Sequence, residues 1–265
     1  MVYRHELYPK DILGTLFLKK PFIAEIALKA EFANQASGLK DLAEVLAKFN
    51  VYVLVLNMTS RDGQQFITAF IDYSDIKGSL SELVKELKRV KFVLEVKYKT
   101  KKIQEKIIDQ FATPTFNMGN IPVIIFCREE FAQVLAEIKK SLGTGGEALV
   151  YLLGFKLGRL AGEKYKTDEI TEDFIIEDIL SFQAFGWGVP EIMELKLSKP
   201  RIRLRFYELF ECPSLRERTK NPCCHFFRGY LAGLFSKFLN KNLSVKEVKC
   251  TAMGDPYCEF IIEEK

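Results

Sequence analysis

The stretch LSVKEVKCTAMGDPYCEFII, residues 243–262, places two strand-like runs on either side of a short turn, with a cysteine at each edge of that turn. The Gly-Asp-Pro segment 254–256 is typical of a tight reversal, because glycine adopts positive φ and proline fixes its own φ. A hairpin closed by this segment brings Cys250 and Cys258 close together. Glu247 lies three residues before Cys250, so the hairpin offers two thiols and one carboxyl group.

The preceding run NPCCHFFRGYLAGLFSKFLNKN, residues 221–242, predicts an amphipathic helix with a proline near its first turn. Cys224 lies in that first turn, where the helix dipole favours a thiolate. Zinc needs three or four such donors in tetrahedral geometry. Cys224, Glu247, Cys250 and Cys258 together form a closed set with no position left for a catalytic water. The sequence therefore predicts a structural zinc site.

The neighbouring cysteines and the histidine have weaker assignments. Cys223 adjoins Cys224 and is an alternative to it as a metal ligand. Cys212 and Cys127 have no evident partner in the sequence, and we interpret them as structural thiols. His225 has no placed carboxylate beside it, so we expect no acid–base role for it.

Composition limits the class of protein. A chain of 265 residues is comfortable for two domains, and a net charge of +4 does not by itself point to nucleic acid. No run is long and apolar enough to span a bilayer, and the first ten residues lack the apolar core of a secretory signal. We therefore expect a cytoplasmic protein, in which six cysteines are thiols, metal ligands or redox groups rather than disulfides.

The first half of the chain predicts a domain of class α+β. Residues 21–100 alternate between runs of strand and helix character in the order β-α-β-β-α-β, which is the ferredoxin-like arrangement. An N-terminal extension, residues 1–20, precedes this domain. A basic linker, residues 101–120, follows it, and its middle predicts a short helix carrying Ile103, Ile107, Ile108 and Phe111.

The second domain is expected over residues 121–265. It opens with the run PVIIF, which predicts a strand, and continues with three helical segments and two hairpin-linked strands before the closing helix and hairpin. Gly154, Gly158 and Gly162 recur at four-residue spacing within one helix. Glycine costs helix stability, so this spacing indicates that another element packs closely on that face, either within the chain or across a dimer.

Residues 224–262 resemble the C-terminal half of the 4-vinyl reductase domain family, and the resemblance extends over about residues 121–265. The motif is a cysteine five residues before a glycine in a helix, then a glutamate, a cysteine three residues later, Gly-Asp, and a final cysteine before an aromatic residue. The matching positions are Cys224, Gly229, Glu247, Cys250, Gly254, Asp255, Cys258 and Phe260. The segment FGWG, residues 185–188, also fits the family.

This resemblance implies an α/β fold with an antiparallel sheet packed on helices, and zinc bound by the equivalents of Cys224, Glu247, Cys250 and Cys258. It also implies a homodimer and a small apolar ligand in an internal pocket. The pocket-lining candidates are aromatic, although such residues also form plain cores; they are Trp187, Phe182, Phe226 and Phe227.

Residues 21–100 resemble the ACT domain family, in element order and in the run GLKDLAEVLAKFNVYVL, where a helix leads directly into a strand. That resemblance implies an amino-acid-like ligand and a signal passed to a neighbouring domain.

Together the two modules predict a non-catalytic, small-molecule-sensing regulatory protein that acts through a partner protein, since no catalytic or DNA-binding motif is visible. Two alternatives remain open. One is a tethering or scaffold protein, because the family is related to vesicle-tethering subunits, and the other is an enzyme of tetrapyrrole or hydrocarbon metabolism.

Overall fold

The computed structural model describes residues 15–17, 21–100, 106–111, 116–117, 121–165, 170–212 and 219–265. The chain divides into two compact units, Met1–Ile124 and Ile125–Lys265. Each unit has its own antiparallel sheet and its own hydrophobic core. The described helices include none that is both long and apolar enough to cross a membrane.

The first unit contains the predicted ferredoxin-like domain. Its strands form one antiparallel sheet in the order β3-β4-β2-β5, and the helices α1 and α2 cover one face of it. This is the order that the β-α-β-β-α-β arrangement requires, so the predicted fold class is confirmed. The elements are β2 (Ile23–Ala30), α1 (Gln35–Lys48), β3 (Tyr52–Arg61), β4 (Gln64–Asp72), α2 (Leu80–Arg89) and β5 (Val93–Lys99).

Local chemistry explains where these elements begin and reverse. Ser79 and Glu82 form a reciprocal capping box that starts α2, with the Ser79 N–H donating to Glu82 Oε2 at 2.7 Å. Asn34 caps α1 by accepting the N–H of Ser37 at 2.9 Å. The β3–β4 hairpin turns at Asp62 and Gly63, both with positive φ, as the right-handed twist of the strands favours.

The helix predicted in the linker is wrong. Residues Lys106–Ile108 form a short strand, β6, which pairs antiparallel with β1 (Thr15–Phe17). The Ile107 side chain is buried with Ile23 and Phe70 on the first unit's sheet, so packing there outweighs local helical spacing. Ile103 lies outside the described residues.

In the residues that the structure describes, the second unit packs four helices with a second antiparallel sheet of order β11-β12-β10-β9. The antiparallel sheet expected from the family resemblance is therefore present. The long elements are α3 (Arg128–Leu142), α4 (Thr144–Gly162), α5 (Glu172–Ala184), β9 (Val189–Lys196), β10 (Arg201–Tyr207), α6 (His225–Phe238), β11 (Leu243–Lys249) and β12 (Cys258–Glu264).

The strand predicted for residues 122–126, at the start of the expected second domain, is almost absent. Only β8 (Ile121–Pro122) pairs, with β7 (Phe116–Asn117), and the following residues Ile124, Ile125 and Phe126 are 80%, 55% and 65% exposed. Proline cannot donate to a strand ladder, which disfavours extending the pairing through residue 122.

Helix α6 is the centre of the second unit, since nine of its 14 residues are buried. Its Gly229 and Gly233 face α4, whose Gly154 and Gly158 face α6 in return. At each of these four glycines an added Cβ would overlap a carbonyl oxygen of the opposite helix. The glycine spacing seen in the sequence therefore serves a close helix pair within the chain.

Candidate metal centre

The four predicted metal ligands lie together in the second unit. Cys224 precedes α6, Glu247 is on β11, Cys250 follows β11, and Cys258 begins β12. All four side chains are buried, and the three thiols are fully so. Their donor atoms lie within 4.8 Å of one another, and the Cys224 and Cys258 sulfurs are 3.9 Å apart.

Cys212 belongs to the same cluster, so the expectation that it has no partner is wrong. Its Sγ lies 2.8 Å from that of Cys224, and 3.4 Å from those of Cys250 and Cys258. The side chain is 2% exposed. The segment that leaves β10 carries Cys212 to this place, because β10 pairs with β12 and sets Phe206 opposite Cys258.

Two further cysteines are placed differently. The Cys223 sulfur lies 3.6 Å from Cys250 and 4.0 Å from Cys212, but it is not within 4.8 Å of all the other donors. Cys223 thus lies at the rim of the cluster. Cys127 is exposed at the start of α3, so it is not a buried structural thiol.

The spacing of the sulfurs fits one tetrahedral metal ion. Zinc–sulfur bonds of about 2.3 Å at tetrahedral angles place sulfurs about 3.8 Å apart. The Cys212–Cys250 and Cys224–Cys258 separations of 3.4 and 3.9 Å lie close to that value, whereas the Cys212 and Cys224 sulfurs lie closer together, at 2.8 Å. Glu247 Oε1 is buried without a hydrogen-bond partner, and a nearby cation would offset its cost. The residues therefore fit a metal ion.

The backbone around the hairpin turn is held by specific contacts. The Cys250 N–H donates to Asp255 Oδ2 at 2.9 Å, and the Cys250 carbonyl accepts the N–H of Met253 at 2.9 Å. A single 3-10 turn, Thr251–Met253, ends at Gly254, whose φ of 100° favours glycine. On β11, Glu247 Oε2 accepts the N–H of Cys224 at 2.9 Å and ties the hairpin to α6.

A second buried carboxyl group anchors the other side of the cluster. Glu211 accepts the N–H groups of Phe226 and Phe227, at 3.1 and 2.9 Å, in the first turn of α6. Lys139 on α3 lies 3.2 Å from Glu211 and donates to the Cys223 carbonyl at 2.7 Å. Burial raises the pKa of Glu211, although Lys139 and the two N–H groups oppose that shift.

Mutual hydrogen bonding divides the thiols of the cluster into two groups. The pKa of Cys212 is lowered to about 4 by hydrogen bonds from Cys223 and Cys224. The pKa of Cys250 is lowered by its hydrogen bonds to the other sulfurs, and the bond with Cys212 has the largest effect. The pKa values of Cys223 and Cys258 are raised by hydrogen bonding to Cys212, and burial raises that of Cys224. Cys212 and Cys250 are thus favoured as thiolates, the form that binds metals, whereas the other three thiols are favoured as neutral groups.

Two titratable groups beside the thiols favour their neutral forms. Burial raises the pKa of Glu247 to about 9, with the charge of Cys250 adding to the shift. Burial and the charge of Arg228 lower the pKa of His225 to about 4. Arg228 Nη2 and His225 Nδ1 are 3.0 Å apart. His225 is therefore uncharged near neutral pH.

The four aromatic candidates for a ligand pocket contact one another in the core. Phe182 lies 5.5 Å from Trp187 and 5.3 Å from Phe227 between ring centroids, and Trp187 lies 6.1 Å from Phe226. Tyr230, which the sequence reading did not include, is 4.8 Å from Trp187. Its position on α6, three residues after Phe227, was the available signal.

Comparisons with known proteins identify a family model and relatives that resemble this chain. The V4R domain model matches residues 203–264, which include most of β10 and the whole metal cluster. "Uncharacterized protein MJ0150" of Methanocaldococcus jannaschii is 30% identical over 168 residues, or 62% of this chain and 89% of that protein.

Two solved structures resemble parts of the chain. The phenol-responsive sensory domain of the transcription activator PoxR, solved with phenol, aligns with 57% of this chain and 84% of that domain, at 18% identity and a TM-score of 0.50. This likeness shows a shared fold. The ACT domain from a GTP pyrophosphokinase of Chlorobium tepidum covers 29% of this chain and 96% of that domain, at 23% identity and a TM-score of 0.25.

The sequence match and the family model cover overlapping parts of the chain. One covers most of an archaeal relative, and the other covers the strands and helix that carry the cysteines. The chain belongs to the V4R domain family.

Proposed function

We propose that this chain is a non-catalytic, small-molecule-sensing regulatory protein whose second unit holds one structural zinc ion. The observation that carries the proposal is the buried cluster of four thiols and one carboxyl group, all within 4.8 Å of one another. The donors come from four separate segments, so a bound ion would fasten α6 to the closing hairpin and to the end of β10.

A structural role suits the donor set. Cys224, Glu247, Cys250 and Cys258, with Cys212 as a further donor, exceed the four positions of tetrahedral zinc. Their burial leaves no donor facing solvent, which disfavours an open position for a reacting water. Six free cysteines also suit the cytoplasm, where thiols stay reduced, and we propose that location.

The sensing part of the proposal rests on the aromatic core of the second unit. Trp187, Phe182, Phe226 and Phe227, joined by Tyr230, form a patch of rings suited to a small apolar ligand. The PoxR domain, which shares this fold, is described as phenol-responsive. The ferredoxin-like unit is proposed as a second module for an amino-acid-like ligand. A homodimer acting on a regulatory partner protein would transmit the signal.

Native mass spectrometry of protein purified without chelators tests these parts together, because it reports metal, trapped ligand and oligomer in one measurement. We expect one zinc per chain, a small apolar compound released on denaturation, and a dimer. The double variant Cys250→Ser, Cys258→Ser should lose the zinc. Cys127→Ser, which alters an exposed thiol outside the cluster, should retain it. A metal-free wild-type protein would contradict the zinc assignment.

A further inference from the structure

We infer that Cys212 is itself a ligand of the bound metal, so that this chain fills the fourth position with sulfur rather than with Glu247. The inference rests on the proposed function, because it presupposes that the cluster holds a metal ion. Cys212 lies outside the sequence motif that this chain shares with the family.

The position of the Cys212 sulfur leads to this inference. It contacts the sulfurs of Cys224, Cys250 and Cys258 at 2.8, 3.4 and 3.4 Å. A metal ion about 2.3 Å from those three sulfurs, on the side of them where Cys212 lies, would be within bonding reach of the Cys212 sulfur. An unbound thiol cannot occupy that space without steric conflict, whereas a bound thiolate belongs there.

The main chain around Cys212 is held in place. The preceding residue, Glu211, is fully buried and bonded to the first turn of α6 and to Lys139. The N–H of Cys212 donates to the carbonyl of Leu209 at 3.2 Å. Such support from a neighbouring buried network is what orients ligands in metal sites. These contacts fix the main chain of Cys212 so that its side chain points into the cluster.

Glu247 has a different task in this arrangement. Its Oε2 accepts the N–H of Cys224 at 2.9 Å, so in our proposal the carboxyl group positions that ligand and leaves the fourth place on the ion to the Cys212 sulfur. Its other oxygen, Oε1, remains beside the thiolates, where the charge of the bound ion offsets its burial. Four sulfurs, from Cys212, Cys224, Cys250 and Cys258, then complete the tetrahedron.

Cobalt(II) substitution counts the thiolate ligands directly, because each cobalt–thiolate bond contributes charge-transfer absorption in the near ultraviolet. With Co²⁺ as the probe, we expect Cys212→Ser to lower this absorption by about one quarter, since one of four thiolates is lost. Glu247→Gln should leave it unchanged. Cys223→Ser is the matched control, because its sulfur lies 3.6 Å from that of Cys250 but at the rim of the cluster.

X-ray absorption of the wild-type zinc protein gives the same count without any variant, in case Cys212→Ser does not fold. Four sulfur neighbours support the inference. Three sulfurs and one oxygen overturn it, as does an unchanged cobalt spectrum in Cys212→Ser or an altered one in Glu247→Gln. Failure of the wild-type protein to bind Zn²⁺ or Co²⁺ would instead refute the proposed function.

Discussion

Glu25 is a carboxyl group buried in the sheet of the first unit, 1% exposed on β2. It accepts the N–H groups of Gln110 and Phe111, at 3.1 and 3.3 Å, and so ties the segment after β6 to the sheet. Asp109 on that segment and Lys99, opposite Glu25 on β5, are its titratable neighbours. Burial and the hydrogen bond with Asp109 raise the pKa of Glu25 to about 7.

A raised pKa in the folded state fixes the sign of the pH dependence. The folded protein holds the Glu25 proton more tightly than the unfolded chain, so this contribution to stability is complete below about pH 4.5 and is lost by about pH 7. We expect the free energy of unfolding of the first unit to fall by up to about 3 kcal/mol over that interval. Glu25→Gln should flatten the change. Denaturant titrations at pH 5 and pH 8 measure it.

The matched control is Glu95→Gln, which alters a half-exposed carboxyl group on β5 of the same sheet. It should keep the wild-type pH dependence. Equal slopes for the wild-type protein and Glu25→Gln would show that Glu25 does not control stability in this range.

At the residue scale, the sequence revealed some of the cluster and missed the rest for a physical reason. Cys250 and Cys258 flank a turn that the local sequence predicts, and Cys224 lies at the start of a predicted helix. Their spacing in the sequence is therefore enough to identify them as candidate ligands. Cys212 enters only through the pairing of β10 with β12. That contact spans more than fifty residues, and no local pattern specifies it.

At the scale of elements, α4 and α6 pack with their backbones in close contact. Gly154 on α4 faces the carbonyl oxygen of Phe226, and Gly229 on α6 faces that of Tyr151. The backbone of each helix therefore fits against glycines of the other. Backbones can approach this closely only where side chains are missing. This contact holds the first turn of α6, which begins directly after Cys224, against α4.

Gly154→Ala should destabilise the second unit by several kcal/mol, because the added Cβ would overlap the Phe226 carbonyl in a rigid helix. The control is Gly145→Ala in the same helix, where an added Cβ meets nothing within 4 Å. That change should be neutral or stabilising by up to about 1 kcal/mol, since alanine is the better helix former. Thermal unfolding of both variants tests this, and equal melting temperatures would contradict it.

The sequence indicated this close packing but not its partner. Gly229 and Gly233 repeat the four-residue spacing of Gly154 and Gly158, and that match was the signal that pairs the two helices. The linker shows the opposite outcome. Isoleucines at helical spacing formed strand β6, because burial of Ile107 against Ile23 and Phe70 outweighs a weak local preference.

At the scale of the whole molecule, the outer face of α4 is left apolar. The leucines that form it are between 44% and 60% exposed: Leu149, Leu152, Leu153, Leu157 and Leu160. A stripe of this size is unusual on the surface of a monomer. Three of them are spaced by four residues about Leu153. An antiparallel second copy would therefore set leucine against leucine across a two-fold axis.

The proposed homodimer can be tested at the centre of this stripe. Leu153→Lys should convert the dimer to a monomer at micromolar concentration, because two buried ammonium groups would face each other across the axis without a partner. Leu180→Lys is the matched control, since Leu180 on α5 of the same unit is 44% exposed but lies on another helix. It should remain dimeric. Size-exclusion chromatography with light scattering gives the masses. A wild-type monomer, or a dimer that survives Leu153→Lys, would show that α4 does not join two copies.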